Sequence, residues 1–153
     1  RLKPAMGSND MFEKTVLIIG FGRIGTRTAK RCLAMEMQVL VYDPYLKAET
    51  IKAAGCEPVT SLDDTLPRAD FVTVHCPKTP ETVGMFGTKQ FKAMKRTAYL
   101  VSTARGGIID EKALHAYEQA FGRGDKQSAC PLATLLIARR HDTGRAAALC
   151  PNP

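Results

Sequence analysis

A glycine-rich turn directly after an apolar run constrains this chain more than any other feature. Residues 15–19 (TVLII) form a continuous β-branched and aliphatic run, which is typical of a strand buried on both faces. The turn that follows has the pattern G-x-G-x-x-G, with Gly20, Gly22 and Gly25. Residues 23–35 then carry side chains at helical spacing, namely Ile24, Thr28, Cys32 and Met35. The segment therefore predicts a strand, a tight turn and a helix.

Each glycine has a physical role in such a turn. Gly20 permits the tight bend, Gly22 lets the backbone approach a pyrophosphate, and Gly25 lets the helix pack closely on the strand. The free N–H groups at the helix start, aided by the helix dipole, suit phosphate oxygens. A turn that binds nothing is the alternative, but the strand before it and the helix after it favour dinucleotide binding.

Asp43 indicates which dinucleotide is bound. A second strand, predicted over residues 38–42, ends at Asp43, about 20 residues past the glycines, where a carboxylate accepts hydrogen bonds from the adenosine ribose. The same carboxylate would repel the additional phosphate of NADP, and the next residues are Pro44 and Tyr45 rather than arginine. NAD is therefore the expected cofactor, and the nearby Lys47 leaves NADP open.

The alternation of strands and helices continues to residue 118. Further strands are predicted over residues 57–60, 69–75 and 97–102, and further helices over residues 47–54, from 61, over 88–94 and over 110–118. Gly55 is expected to end a helix, and three residues are expected to be N-caps: Ser61, Thr88 and Asp110. This order predicts an α/β fold with a doubly wound parallel sheet of the Rossmann type. Ligands bind such sheets at the carboxyl ends of the strands, where the turns after Gly20, Asp43, residues 75–77 and residues 102–107 converge.

Composition excludes several other classes of protein. The chain has 153 residues, enough for one domain, with 44% hydrophobic and 24% charged residues. No apolar run has the length of a membrane span, and residues 1–10 lack the apolar core of a signal peptide. The five cysteines are far apart and predict free thiols in the cytoplasm rather than a metal site. The net charge of +7 is scattered, so neither a nucleic acid nor a membrane is expected as a partner.

Three segments are predicted along the chain. Residues 1–11 are interpreted as a linker, residues 12–118 as the nucleotide-binding domain, and residues 119–153 as a tail that is poorly ordered or foreign to the fold. The alternative for the tail is a helix over residues 132–140 that packs on the sheet.

Four motifs together resemble the NAD-binding domain of the D-isomer-specific 2-hydroxyacid dehydrogenases, the family that includes the phosphoglycerate dehydrogenases. They are IGFGRIG at residues 19–25, YDPY at 42–45, VHCPKTPET at 74–82 and STARGGIIDE at 102–111. The resemblance spans residues 12–118. It implies NAD-dependent oxidation of a small-molecule D-2-hydroxy acid, or the reverse reduction, by an enzyme that is usually homo-oligomeric.

The resemblance also implies individual roles. Arg23 and Ile24 would lie at the pyrophosphate, Cys76 and Pro77 along the adenine side of the cleft, and Ala104 near the nicotinamide. The full cofactor-binding set comprises Gly20, Gly22, Arg23, Ile24, Gly25, Asp43, His75, Cys76, Pro77, Thr82, Thr103, Ala104 and Arg105. Arg105 would be catalytic, because a guanidinium can hold the substrate carboxylate with two hydrogen bonds and polarise the neighbouring carbonyl.

The resemblance is incomplete beyond the last predicted helix. The family also uses a histidine that exchanges a proton and a glutamate that raises its basicity. No motif for either is present, and the role is assigned to none of His75, His115 and His141. The chain is therefore expected to be a fragment that binds NAD and turns over substrate negligibly. One alternative is a non-catalytic NAD-binding or redox-sensing module. The other is a basic interaction protein, which only the net charge supports.

Overall fold

The computed structural model of the protein describes residues 11–121 and 135–136. The strands are β1 (Thr15–Ile19), β2 (Gln38–Tyr42), β3 (Glu57–Val59), β4 (Phe71–Val74), β5 (Tyr99–Ser102) and β6 (Leu135–Leu136). The helices are α1 (Arg23–Ala34), α2 (Ala48–Ala53), α3 (Leu62–Thr65), α4 (Thr88–Ala93) and α5 (Glu111–Phe121), with a 3-10 turn at Leu66–Arg68. All strands pair in parallel in the order β3-β2-β1-β4-β5-β6. The prediction of a doubly wound parallel sheet is confirmed.

Alternate residues of β1 divide the core between the two faces of the sheet. Leu17 and Ile19 belong to a cluster that includes Phe86, Phe91 and Leu114 of the later connections. On the other face, β1 packs against residues of α1 and α2, in a cluster that contains Val16, Ile18, Ala29, Cys32 and Ile51. Since both faces are covered, residues 16–19 of the strand are all apolar and buried, as the run predicts.

Helix α1 faces the sheet with small residues. Its buried residues are Gly25, Ala29 and Cys32. Ile24 is 56% exposed and Met35 is 49% exposed. The helix predicted from the spacing is confirmed, and its buried residues are small, which lets the helix approach the sheet closely. The exposure of Ile24 leaves its side chain available at the glycine turn.

The predicted N-caps are confirmed at α3 and α5 but not at α4. The Ser61 hydroxyl accepts a hydrogen bond from the Asp64 amide at 3.3 Å, as expected for an N-cap. The Asp110 carboxylate accepts from two amides of the first turn of α5. At α4 the N-cap is Gly87, whose amide donates to the Gln90 side chain, and Thr88 is already helical. The prediction of Thr88 as N-cap was therefore one residue late.

The segment β6 was not predicted. Its two residues, Leu135 and Leu136, pair in parallel with Val101 and Ser102 of β5. They lie inside the predicted tail, and their strand pairing contradicts the alternative of a helix over residues 132–140 at these two positions. Helix α5 also continues through residues 119–121 of that tail. Residues 122–134 and 137–153, and the predicted linker up to residue 10, lie outside the described residues.

Two connections outside the sheet are joined by backbone hydrogen bonds. The Gly84 amide donates to the Gly107 carbonyl at 2.8 Å, and the Phe86 amide donates to the Ile108 carbonyl at 3.2 Å. The Asp110 amide donates back to the Phe86 carbonyl at 2.9 Å. The connection between β4 and α4 is thereby fixed to the connection between β5 and α5.

Candidate nucleotide-binding site

The glycine turn has the shape that its sequence predicts. Gly20 has a φ of +90°, and a Cβ there would lie 2.7 Å from the Cys76 backbone nitrogen. A Cβ on Gly25 would collide with the Gly20 carbonyl oxygen. Both positions therefore require glycine, one for its left-handed conformation and both for close backbone packing. The turn packs closely against both the start of α1 and the end of β4.

The start of α1 is open toward a ligand. Gly22 is the N-cap and supplies no side-chain cap, and the first turn contains no acidic residue. The first amides of a helix have no partner within the helix. A Cβ on Gly22 would meet nothing within 4 Å, so there is room above the turn. Room, unpaired amides and the exposed Arg23 fit the pyrophosphate of a dinucleotide.

Asp43 is held against the glycine turn by two backbone amides. Its Oδ2 accepts from the Phe21 amide at 2.8 Å and its Oδ1 from the Tyr45 amide at 3.0 Å. Each carboxylate oxygen keeps a second lone pair that can accept from a ribose hydroxyl. The half-buried Asp43 is therefore oriented before any ligand arrives, and it projects from the end of β2 as predicted.

The end of β4 forms the wall beside Asp43. Cys76 is half-buried and Pro77 is exposed. Burial raises the pKa of the Cys76 thiol, and the nearby Asp43 carboxylate raises it further. The thiol is therefore neutral near pH 7, and it lies close enough to Asp43 to feel its charge. Thr82, predicted as a cofactor ligand, accepts from the Thr79 amide at 2.7 Å and donates to the Pro77 carbonyl at 2.8 Å, so its hydroxyl shapes this loop.

His75 bridges two strand ends. One ring nitrogen, Nε2, lies 3.0 Å from the Thr73 hydroxyl, and Nδ1 lies 2.9 Å from the Thr103 hydroxyl. Burial lowers the pKa of His75, so the ring is neutral near pH 7. A neutral imidazole offers one donor and one acceptor, and hydroxyl groups can match either tautomer.

The turn after β5 carries the predicted substrate residue. Ala104 is buried, while Thr103 and Arg105 are exposed. The ion pairs among the described residues use other cations: Arg68, Lys89 and Lys95. Arg105 is therefore an exposed guanidinium without a carboxylate partner in that part of the chain, which suits it to bind an anion.

Lys78 is a feature of this edge that the sequence did not assign. Its ammonium would lie 3.1 Å from a Cβ placed on Gly107, which itself has a φ of +88°. The lysine therefore lies over the Arg105–Gly107 turn. Its position directly after Pro77, within the third motif, was the sequence feature that could have placed it at this edge. A cavity of about 390 Å³ lies beyond Gly107, and its lining includes Val83, Ile109 and Lys112 but no predicted cofactor residue.

The described residues contain no group of three or more His, Cys, Asp or Glu side chains that could hold a metal ion. None of the helices in that part of the chain has the length and apolar character needed to cross a membrane.

This fold and this edge define a dinucleotide-binding domain of the Rossmann type. The uncapped glycine turn, the carboxylate after β2 and the strand order all agree with that class. Residues 1–120 match the family described as "D-isomer specific 2-hydroxyacid dehydrogenase, NAD binding domain", and the chain belongs to this family. The resemblance found in the four motifs is confirmed, and so is NAD as the cofactor of the domain.

Individual relatives agree with the family. The chain is 43% identical over 106 residues to the D-3-phosphoglycerate dehydrogenase of Methanocaldococcus jannaschii, covering 69% of this chain and 20% of that protein. It is 47% identical over 102 residues to that of Archaeoglobus fulgidus, covering 67% and 19%. The solved D-lactate dehydrogenase of Aquifex aeolicus, complexed with NAD and lactic acid, superimposes with a TM-score of 0.69 at 40% identity, covering 74% of this chain and 33% of that one. The chain thus spans about a fifth of the length of the curated relatives it matches.

Proposed function

We propose that the chain is the cofactor-binding part of a phosphoglycerate dehydrogenase-like oxidoreductase that acts on D-2-hydroxy acids. The proposal rests on one observation: the open glycine turn, the oriented Asp43 carboxylate and the exposed Arg105 share one edge of the sheet. The family and the relatives of the chain support the same conclusion.

The reaction removes a hydride from C2 of the hydroxy acid and a proton from its hydroxyl group. NAD supplies the acceptor for the hydride. The amides after Gly22 and the Arg23 side chain would hold its pyrophosphate, Asp43 its adenosine ribose, and Cys76 with Pro77 its adenine side. Arg105 would hold the substrate carboxylate through two parallel N–H···O bonds, which fixes C2 against the cofactor.

The described residues offer no histidine to take the proton. Both ring nitrogens of His75 are bonded to threonines, and His115 is exposed on α5 with its ring 3.4 Å from the Gln119 amide. We therefore propose that residues 1–153 alone bind NAD but oxidise hydroxy acids more slowly than a complete site by a factor of about 10²–10⁴ or more. The engagement of His75 also favours the second candidate, a non-catalytic NAD-binding module.

Calorimetric titration of residues 1–153 with NAD tests the binding. Asp43→Asn should weaken NAD binding by about 10-fold or more, because hydrogen bonds to a charged acceptor contribute roughly 1.5–3 kcal/mol each. The control is Asp64→Asn, which removes an exposed carboxylate from α3 and should leave the affinity unchanged. Equal NAD affinity of the wild type and Asp43→Asn would contradict the assignment of Asp43.

Turnover tests whether residues 1–153 are catalytic by themselves. NADH formation with D-2-hydroxy acids should stay at background for the chain alone. A rate that appears in the wild type and disappears in Arg105→Ala would show that the chain is catalytic by itself, and would support the role of Arg105. A homo-oligomeric assembly and a cytoplasmic location remain predictions; sedimentation velocity and cell fractionation would check them.

A further inference from the structure

The ring of His75 spans two neighbouring strands at the cofactor edge. Thr73 and His75 point to the same face of β4, since residues two apart in a strand share a face. In the parallel register Val74 lies opposite Ser102, so the next residue pair is His75 and Thr103. The ring thus joins a buried threonine within β4 to an exposed threonine just past the end of β5.

The side-chain bond is the shorter of the two links between these strand ends. The Thr103 amide lies 3.4 Å from the Val74 carbonyl, whereas the His75 amide donates to the Ile19 carbonyl at 2.8 Å. The last backbone hydrogen bond between β4 and β5 is therefore long where the turn to Arg105 begins. The Nδ1···Oγ1 distance of 2.9 Å between His75 and Thr103 is a normal, strong hydrogen-bond length.

The backbone of His75 is fixed on its other side. A Cβ on Gly20 would lie 3.0 Å from the His75 carbonyl carbon, so the glycine turn and the end of β4 are in close contact. The ring therefore connects a firmly held backbone to the start of a turn that carries Arg105.

We infer that His75 is a positioning residue, which holds residues 103–105 in place through the Thr103 hydroxyl and thereby shapes the nicotinamide end of the cleft. This inference rests on the proposed function, because it assigns the held turn to the cofactor and the substrate. It makes His75 a structural link to the site: Nδ1 bonds to Thr103 of the turn, whereas Nε2 bonds to Thr73, away from the turn.

A double-mutant cycle on the full chain tests the link, with NAD affinity measured by calorimetry. His75→Phe keeps a ring of similar size and removes both hydrogen bonds, and Thr103→Val removes the partner hydroxyl. Each should weaken NAD binding by about 2- to 10-fold, the range expected for one hydrogen bond. In the Thr103→Val background, His75→Phe should have no further effect on affinity, because the bond is already absent.

The matched control is Thr73→Val, which removes the other hydrogen bond of the same ring, away from the turn. It should change NAD affinity by less than about 2-fold, even where it lowers thermal stability as much as Thr103→Val does. His75→Gln, which can still bond to Thr103, should recover part of the affinity lost in His75→Phe. An equal loss from His75→Phe with and without the Thr103 hydroxyl, or no loss at all, would overturn the inference.

A second measurement keeps this result separate from the proposed function. If wild-type residues 1–153 fold but do not bind NAD, the proposed function fails. The link is then judged from the ¹⁵N resonances of the His75 imidazole. They should shift at Nδ1 in Thr103→Val and at Nε2 in Thr73→Val, and an unchanged Nδ1 resonance in Thr103→Val would refute the link itself.

Discussion

Replacing Gly20 by alanine should lower the free energy of unfolding of the domain, because the added methyl group meets the protein backbone rather than the ligand. The fold would hold an alanine at this position in a left-handed backbone conformation, with φ near +90°. That conformation costs an L-residue about 1–2 kcal/mol. The Cβ would also lie 2.7 Å and 2.8 Å from backbone atoms of Cys76, which cannot move aside as a side chain could.

The second cost resembles that of forcing additional atoms into a packed interior, about 1–3 kcal/mol. Together the two costs predict a loss of about 2–5 kcal/mol in the free energy of unfolding, a large part of the 5–15 kcal/mol typical of a domain. Urea unfolding followed by circular dichroism would measure it.

Two other glycines separate the contributions. Gly84 has a φ of +66° with nothing within 4 Å of its would-be Cβ, so Gly84→Ala should show the conformational cost alone, about 1–2 kcal/mol. Gly22 has an open Cβ position and a negative φ, so Gly22→Ala should cost less than about 1 kcal/mol of stability. It should nevertheless weaken NAD binding, because the methyl group occupies the space above the turn. The reasoning is refuted if Gly20→Ala is no more destabilising than Gly84→Ala, or if Gly22→Ala binds NAD as the wild type does.

Two further predictions concern charge and thiols. Burial opposes ionisation of Asp70, but a backbone N–H of β1 and the Lys95 ammonium outweigh it and hold the pKa of that carboxyl below its usual value. Asp70→Asn should therefore lower the free energy of unfolding by about 1–2 kcal/mol at pH 7, and this loss should persist above about pH 4 and shrink as the pH falls through the lowered pKa. The control Glu57→Gln, in an exposed ion pair, should lower it by less than about 0.5 kcal/mol. Urea unfolding from pH 2 to 7 would measure both variants, and equal losses would contradict the role of Asp70. Iodoacetamide should alkylate the half-buried Cys76 before the buried Cys32, and NAD should slow the alkylation of Cys76 only. Site-resolved mass spectrometry would measure both rates. An alkylation rate of Cys76 that is unchanged by saturating NAD would argue against its place in the cleft.

The sequence predicted the parts of the site that depend on chain geometry alone. A buried strand followed by spaced glycines predicts a tight turn into a closely packed helix, and Gly20 and Gly25 allow this close approach as expected. Parallel strands end at one edge, so Asp43 and Arg105 could be placed there from their positions after β2 and β5. The roles of these residues toward NAD and substrate remain predictions that the binding experiments test.

Other features depend on distances that a sequence does not contain. The spacing of Ile24 and Met35 predicted a helix but not which of its residues face the sheet, and the close approach of α1 favours small residues there. The two hydrogen bonds of His75 require the register of β4 against β5. The pairing of Leu135 with Val101 depends on long-range packing, which no local pattern around Leu135 reveals.

The hydrogen bonds between the β4–α4 and β5–α5 connections have a consequence for how the site opens. The amides of Gly84, Phe86 and Asp110 all donate across the same seam, and Phe86 and Ile108 are fully buried beside it. Breaking one bond exposes the apolar pair and removes the support of the others, so the seam should open as a single cooperative unit. The three amides should then show the same opening free energy in deuterium exchange, once each rate is corrected for the intrinsic exchange rate of its amide. The β4–α4 connection and the β5–α5 connection would separate in one event.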